Sequence, residues 1–279
     1  MLTRRLALAG SGAAIYAASS IADAHKRDVS AAAVTDSCQG ALPLLVDTGF
    51  VVVSGCIPTS VLQSCQSTDA FHSMPTSAGD VQTDAWRLSA LGRFHRVKFS
   101  AADTTVFEQL EPIFMPLVEA FFREDGRQGG KVYRSELQLL NATPKHSQKQ
   151  SWHADNVARG ITIIVPLVDF TVENGATQIL PGSHRLASCW TSLVDGGPRV
   201  LTLRAGSIAA YDARLYHRGL GNTTGSSRPA LVFRYDREET PPPGVGILMS
   251  IAHVATAKAL HASTGAGAAL REALFGRAS

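Results

Sequence analysis

The chain has 279 residues, of which 45% are hydrophobic and 18% charged, and its formal net charge is +3. This length and composition are typical of a globular protein with one large domain or two small ones. The basic excess is small, and no basic run carries interleaved aromatic residues, which argues against a nucleic-acid partner.

The first 24 residues have the pattern of a targeting segment. Arg4 and Arg5 precede a weakly apolar stretch, Leu6–Ile21, which ends at Ala22-Asp23-Ala24. This order is typical of a cleavable export signal, including the twin-arginine type, and an organelle transit peptide or a disordered tail fits nearly as well. The apolar part is too short and too weak for a stable membrane span. We set residues 1–38 apart as a targeting or disordered segment, and otherwise expect a soluble cytoplasmic protein.

The four cysteines do not indicate a metal site. They form no C-x-x-C pair and no zinc-binding spacing with histidine. Buried free thiols are the simpler interpretation, since a structural disulfide requires export to an oxidising compartment. The cysteines are Cys38, Cys56, Cys65 and Cys189.

The first half of the remaining chain predicts one strand and then helices. Gly49–Gly55 predicts a strand because β-branched residues lie between glycines. A short helix is expected after Pro58, a residue suited to a first helical turn. Val106–Arg123 carries an apolar stripe and predicts the clearest helix, with Pro112 and Pro116 expected to bend or split it.

From residue 131 onward the pattern changes to many short β-rich segments without intervening helices, which predicts a sandwich or barrel. After residue 245 an Ala-rich stretch predicts helices packed on the outside. We expect one catalytic domain at 39–245 and a C-terminal helical extension at 246–279. The predicted strands are Val132–Leu140, Ser151–Asp155, Ile161–Val168, Thr177–Leu180, Val200–Leu203, Ser207–Tyr211, Leu215–Gly219 and Pro229–Tyr235.

The pair His153 and Asp155 carries the first chemical signal. Residues i and i+2 of a strand face the same side, so this imidazole and carboxylate form two thirds of a facial triad for non-haem iron(II). A barrel brings its first and last strands together, which favours His217 as the third ligand. A β-hairpin through 221–227 would return Arg228 on the adjacent strand, where its guanidinium could grip a carboxylate.

In order and spacing, these motifs resemble the phytanoyl-CoA dioxygenase-like (PhyH) family of iron(II)/2-oxoglutarate-dependent oxygenases. The resemblance runs from about Val46 to Tyr235, and the turn Pro181-Gly-Ser-His-Arg185 is its most specific part. The similar stretches are Asp47–Val53, Gln150–Asp155, Glu173–Arg185 and the block from Ala205 to Arg228.

The resemblance implies a mainly β fold with flanking helices around a double-stranded β-helix (jelly-roll, cupin-like) core. It implies Fe(2+) held by His153, Asp155 and His217, with 2-oxoglutarate as cosubstrate and its distal carboxylate on Arg228. O2 would be consumed, and succinate and CO2 would leave as co-products. The expected partner is a small-molecule substrate, either small and organic or lipid-like, which is hydroxylated or otherwise oxidised; the oligomeric state stays open.

Four further expectations concern single residues; the first two come from the same resemblance, and the last two from the turn that holds His184 and the strand parity of Arg234 with Arg228. Gln150 and Thr177 occupy positions whose counterparts often contact 2-oxoglutarate. Asp155 stands where halogenating relatives carry a small residue, which favours oxygenation. His184, in its Pro-Gly turn, is expected to be structural, and Arg234 either lines the pocket or forms an external salt bridge.

Two other functions remain open from the sequence. One is a catalytically inactive oxygenase-fold binding protein, and the other is a cupin-like, non-redox metalloenzyme, which would not need Arg228. The basic segment around residues 87–96 could meet an anionic substrate, although a solvated charged face is the simpler interpretation.

Overall fold

A computed structural model describes residues 34–35, 37–38, 40–77, 86–88, 91–126, 130–185, 197–238 and 240 of the chain. The leader-like segment 1–24, the proposed extension 246–279 and Cys189 lie outside these residues. Cys38, Cys56 and Cys65 are free thiols. In the part of the chain that the structure describes, no helix has the length and apolar composition needed to cross a bilayer.

The described residues form two β-sheets. In chain order the strands are β1 (Val34–Thr35), β2 (Phe50–Val53), β3 (Arg87–Leu88), β4 (Arg93–Arg96), β5 (Val132–Ala142), β6 (Ile161–Pro166), β7 (Thr177–Ile179), β8 (Arg199–Leu201), β9 (Ile208–Asp212), β10 (His217–Gly219) and β11 (Arg228–Arg237). The major sheet has the order β1-β2-β9-β6-β11-β5-β4-β3, and the minor sheet has the order β10-β7-β8. Every pairing is antiparallel except that of β1 with β2.

Five helices of the described residues lie before β5: α1 (Ala41–Thr48), α2 (Thr59–Gln66), α3 (Asp69–His72), α4 (Ala101–Glu108) and α5 (Glu111–Glu124). Alternation along the strands divides the major sheet into two apolar faces. One face packs against the helices, and here the ring of Phe114 in α5 lies 5.1 Å from that of Phe233 in β11. This first core holds the helical layer on the outside of the sheet.

The opposite face of the major sheet packs against the minor sheet. This second core joins Ile164, Ala209 and Ala230 of the major sheet to Ile179 and Leu201 of the minor sheet. Two facing antiparallel sheets with helices on the outside are the expected double-stranded β-helix, so the predicted fold class is confirmed.

Most predicted strands are present within about two residues of their expected ends, and the helix after Pro58 is α2. The long helix expected at Val106–Arg123 is divided into α4 and α5. The break falls just before Pro112, which lies in the first turn of α5, where the missing N–H costs nothing. The helix α1 was not predicted, because Pro43 interrupts its apolar pattern.

Two strand predictions are wrong. Strand β10 pairs with β7 in the minor sheet, whereas β11 lies between β5 and β6 in the major sheet. The segment 220–227 is therefore a crossing between sheets, and Arg228 does not lie on the strand beside His217. Residues 151–155 contain only one bridge, between His153 and His217, since Asp155 lies in a bend.

The N-terminal boundary also differs from the expectation. Val34–Thr35 pairs with Val52 and Val53, so the sheet includes residues of the segment 1–38 that the sequence sets apart.

Candidate metal centre and its surroundings

His153, Asp155 and His217 are brought together at one point between the sheets. Their candidate ligand atoms all lie within 4.8 Å of one another, and among the described residues they form the one such cluster of His, Cys, Asp or Glu. The two imidazole rings have centroids 4.5 Å apart. The structure thus assembles the three residues that the sequence selects, although their metal-binding role stays a prediction.

Backbone hydrogen bonds place the two histidines side by side. The His153 N–H donates to the His217 carbonyl at 3.0 Å, and the His217 N–H donates back at 2.8 Å. The Gln150 N–H donates to Gly219 at 2.9 Å and the Asn156 N–H to Ala213 at 2.9 Å. The segment 150–156 therefore follows the edge of β10 even though it is too irregular to count as a strand.

Each histidine is oriented by a backbone carbonyl. His153 Nδ1 lies 2.9 Å from the Ser151 oxygen, and His217 Nδ1 lies 2.9 Å from the Leu215 oxygen. Because a carbonyl only accepts, Nδ1 is the protonated nitrogen in both rings, and Nε2 keeps its lone pair. Burial, and then the neighbouring His217, lower the pKa of His153 to about 4, so this imidazole is neutral at physiological pH.

Asp155 is held as a carboxylate. Burial opposes its ionisation, but the neighbouring His217, Arg234 and His153 outweigh burial and lower its pKa. Thr162 Oγ1 donates to Oδ2 at 2.9 Å, and Oδ1 faces His217 Nε2 at 3.5 Å. The Nε2 atoms of His153 and His217, each with a lone pair, and a carboxylate oxygen of Asp155 form a donor set suited to a divalent transition metal.

Tyr211 is a fourth side chain at this cluster, and no sequence pattern selects it. It lies in β9, paired with Thr162 of β6, and is 3% exposed. Its hydroxyl oxygen lies 3.3 Å from His217 Nε2, and the two rings have centroids 4.6 Å apart. Burial, and then the charge of Asp155, raise the pKa of the phenol well above its usual value, so the hydroxyl keeps its proton.

Arg228 is a buried cation that has no ion pair among the described residues. It is 2% exposed, and its Nε has no hydrogen-bond partner in that part of the chain. Its guanidinium lies over the ring of Phe170, whose centroid is 4.3 Å away. Burial, and then the charge of Arg93, lower the pKa of Arg228 to about 9. An isolated buried charge is costly, which indicates that an external anion completes this site.

Arg93 corrects the expectation of a solvated charged face around residues 87–96. It is 1% exposed and donates to the carbonyls of Gln148 at 2.6 Å and Leu220 at 2.5 Å. A Cβ added at Gly219 would lie 2.8 Å from Arg93 Nη2, so glycine is needed where the guanidinium approaches the backbone. Only contacts distant in sequence reveal this residue.

Gln150 and Thr177 meet at the same glycine. The Gly219 N–H donates to Gln150 Oε1 at 2.8 Å, and Gly219 pairs with Thr177 of β7. The structure thus brings Gln150, Thr177 and Arg93 around Gly219, two residues from His217. None of these contacts tests their expected role with 2-oxoglutarate.

His184 and Arg234 have structural partners. His184 Nε2 bonds the Val46 carbonyl at 3.1 Å, away from the metal cluster. Arg234 is 3% exposed; it pairs with Asp236 at 2.9 Å and donates to the Asp155 carbonyl at 3.3 Å. The expected salt bridge exists, but it is internal, and Arg234 also holds the backbone of the His-Asp-His cluster.

Comparison with known proteins gives a match to one family. Residues 45–230 match the family described as Phytanoyl-CoA dioxygenase (PhyH). The dioxygenase hkm4 of Aspergillus hancockii is 33% identical over 100 residues, which are 30% of this chain and 32% of that protein. The dioxygenase af480 of Aspergillus fumigatus is 35% identical over 78 residues, 27% of this chain and 25% of that protein. The chain therefore spans about a third or less of these curated relatives.

Solved structures share the fold. AviO1 from Streptomyces viridochromogenes superposes with a TM-score of 0.59 at 19% identity, covering 75% of this chain and 99% of that one. SnoN, a non-heme alpha ketoglutarate dependent epimerase from nogalamycin biosynthesis, gives 0.56 at 21% identity, covering 72% and 83%. At these identities the likeness establishes the arrangement of the two sheets and nothing more.

Proposed function

This chain belongs to the phytanoyl-CoA dioxygenase (PhyH) family, and we propose that it is an iron(II)- and 2-oxoglutarate-dependent oxygenase acting on a small organic or lipid-like substrate. The observation that carries the proposal is the combination of one oriented His-Asp-His donor set with one buried guanidinium that lacks an anion. A metal site alone would not require that cation. A dicarboxylic cosubstrate that bridges the two features accounts for both.

The donor set fits iron(II). His153 and His217 would hold the ion through Nε2, and Asp155 through one carboxylate oxygen, while Thr162 holds the other oxygen. Three protein ligands leave further coordination positions for 2-oxoglutarate and O2. Bound iron, 2-oxoglutarate and O2 supply the oxidising power, with succinate and CO2 as co-products.

The remaining residues would bind and orient the cosubstrate. Arg228 neutralises its distal carboxylate in an apolar setting against Phe170, where a charge-assisted hydrogen bond is strong. Arg93, Gln150 and Thr177 shape the wall at Gly219 and keep the backbone close to the ligand. Burial of these groups excludes water from the reacting centre.

The substrate would approach over the inner face of β4 and β5. His95 and Gln138 are half-buried there and bonded to each other at 2.9 Å, and the neighbouring Glu136 is also half-buried. The comparably placed residues of β6 and β9 are buried under the minor sheet. A polar, partly open wall suits a substrate with hydrogen-bonding groups, and a library screen that follows succinate release would identify it.

Anaerobic titration of iron(II) and 2-oxoglutarate tests the proposal. The chelate should give a weak visible charge-transfer band with the wild-type protein, and His217→Ala should abolish it. His72→Ala, at an exposed histidine of α3, is the matched control and should keep the band. No band with wild type would exclude the oxygenase and leave the inactive binding protein, whereas a band that survives His217→Ala would refute the ligand assignment.

A further inference from the structure

Tyr211 places an oxidisable ring directly against the proposed iron ligands. Its hydroxyl lies 3.3 Å from His217 Nε2, the atom through which this histidine would hold the metal. Asp155 Oδ1 lies 3.5 Å from the same nitrogen, so the phenol and the carboxylate share one small volume. The ring is therefore within reach of whatever oxidant forms among the three ligands.

The ring is also fixed and enclosed. Tyr211 is 3% exposed, and its backbone is paired on both sides, with Phe50 of β2 and Thr162 of β6. Solvent cannot replace it, and no substrate is needed to bring it to the centre. The ring carbon next to a phenol hydroxyl is electron-rich, which makes it the most reactive position of this side chain.

We propose that Tyr211 is a self-modification site, hydroxylated on the ring carbon beside its hydroxyl when no primary substrate is bound. The inference rests on the proposed oxygenase function. One oxygen atom of O2 enters the C–H bond of the ring, and the other becomes part of succinate. 2-Oxoglutarate gives two electrons as it loses CO2, and the ring gives two, so O2 is fully reduced. The product is a catechol that keeps the original hydroxyl.

The catechol changes the centre in a way that can be observed. Its two adjacent oxygens form a bidentate ligand, and a catechol bound to iron(III) absorbs visible light. The modified chain should therefore become coloured when its iron is oxidised, and lose activity because the phenol oxygens compete with the cosubstrate.

The sequence makes the modification easy to locate. Trypsin cleaves after Arg204 and Arg214 and releases Ala205–Arg214, in which Tyr211 is the only tyrosine and which has no Met, Cys, Trp or His. The peptide Val132–Arg134 contains the exposed Tyr133, has no Met, Cys, Trp or His, and is an internal control for diffuse oxidation. Peptide mass, unlike turnover, reports a change in the chain itself.

The experiment incubates the full-length protein with iron(II), 2-oxoglutarate and isotopically heavy O2, without substrate. We expect Ala205–Arg214 to gain one heavy oxygen, and Val132–Arg134 to remain unchanged. The gain should be absent without O2, without 2-oxoglutarate and in Tyr211→Phe. Succinate formation with an unmodified Ala205–Arg214, or equal oxidation of both peptides, would overturn the inference while the proposed function stands. Absence of both succinate and the chelate band would overturn the function, and the inference with it.

A second measurement does not depend on turnover. Cobalt(II) binds such donor sets and has visible bands sensitive to its surroundings. Wild type and Tyr211→Phe should both bind it, with bands shifted relative to each other because the hydroxyl contacts the donor set. Identical spectra would place the phenol out of reach and contradict the proposal.

Discussion

At the scale of single residues, the site depends on a few buried polar groups whose partners are incomplete within the protein. Among the described residues Arg228 has a ring beside it and no anion, whereas Asp155 has Thr162 and the Arg234 guanidinium close by. The proposed metal-binding end is therefore oriented before any ligand arrives. The proposed cosubstrate end keeps a charge that a bound anion would neutralise.

Substitution of Arg228 tests this division. Arg228→Gln should weaken 2-oxoglutarate binding by about 2 kcal/mol or more, which is about thirtyfold, because an anion loses its buried cation. Iron(II) affinity should change little, since Arg228 does not contact the ligands. Titration of the chelate band measures both constants. Arg123→Gln, at an exposed arginine of α5, is the control, and equal 2-oxoglutarate affinities in the two variants would show that the clamp lies elsewhere.

The residues that could be predicted from sequence are those with a local pattern. The H-x-D pair, the place of His217 on a late strand and the family resemblance were enough to select three candidate ligands that the structure brings within 4.8 Å. Arg93 and Tyr211 could not be selected, because their positions depend on pairing between strands distant in sequence. No local signal distinguishes a buried arginine in β4 from a surface one.

At the scale of elements, the turn Pro181–Arg185 ties α1 to the minor sheet. The Gly182 N–H donates to Thr48 at 2.7 Å, and His184 and Arg185 both bond the Val46 carbonyl. Gly49 ends the helix with φ 85° and packs directly under the His184 ring. These contacts with the end of α1 explain why the turn has the sequence Pro181-Gly-Ser-His-Arg185.

Gly49→Ala should destabilise the fold more than Gly55→Ala. Both glycines have positive φ, 85° and 61°, so each alanine costs about 1–2 kcal/mol of backbone strain. At Gly49 a Cβ would also lie 2.4 Å from His184 Nδ1, whereas nothing lies within 4 Å at Gly55. The difference between the urea unfolding midpoints of the two variants measures the cost of the contact with His184. Equal midpoints would mean that the His184 ring moves aside at no cost.

Buried His184 in the same turn predicts that the free energy of unfolding decreases in acid. Burial lowers the pKa of His184 below 6.5, so the unfolded chain binds the proton more readily than the folded chain. The free energy of unfolding should therefore fall as pH drops below about 6.5, by at most about 1.4 kcal/mol per pH unit for this group. Metal-free His184→Gln should show a shallower decline than wild type, and exposed His72→Gln an unchanged one. Parallel curves for all three would contradict the assignment.

Strand positions were predictable because β-rich segments alternate with Gly, Pro and Asn. The connection between β10 and β11 was not, since a turn-rich segment such as 221–227 looks the same whether it closes a hairpin or crosses between sheets. Burial determines where β11 lies. Its residues are buried on both faces, which suits a strand at the centre of a sheet and not one at its edge.

At the scale of the whole molecule, two cores share the major sheet. One packs against the helices and the other packs against the minor sheet. The candidate ligands come from the 150–156 segment and from β10, so a bound metal would join these two parts of the chain.

Metal binding should therefore raise thermal stability. Cobalt(II) at about 100 times its dissociation constant adds about 2.7 kcal/mol to the free energy of unfolding, or about 5–10 °C in Tm. Differential scanning calorimetry measures the shift. His217→Ala should lose it and His72→Ala should keep it; a shift that persists in His217→Ala would indicate metal binding elsewhere.

The crossing segment 220–227 has a consequence for folding kinetics. Because it carries the chain from the edge of one sheet to the middle of the other, β10 and β11 come to face each other only when both sheets pack on the second core. We expect the complete site to form late in folding, so bound metal should slow unfolding and leave the refolding rate nearly unchanged in stopped-flow measurements. The ion would then stabilise the folded chain without directing how it folds.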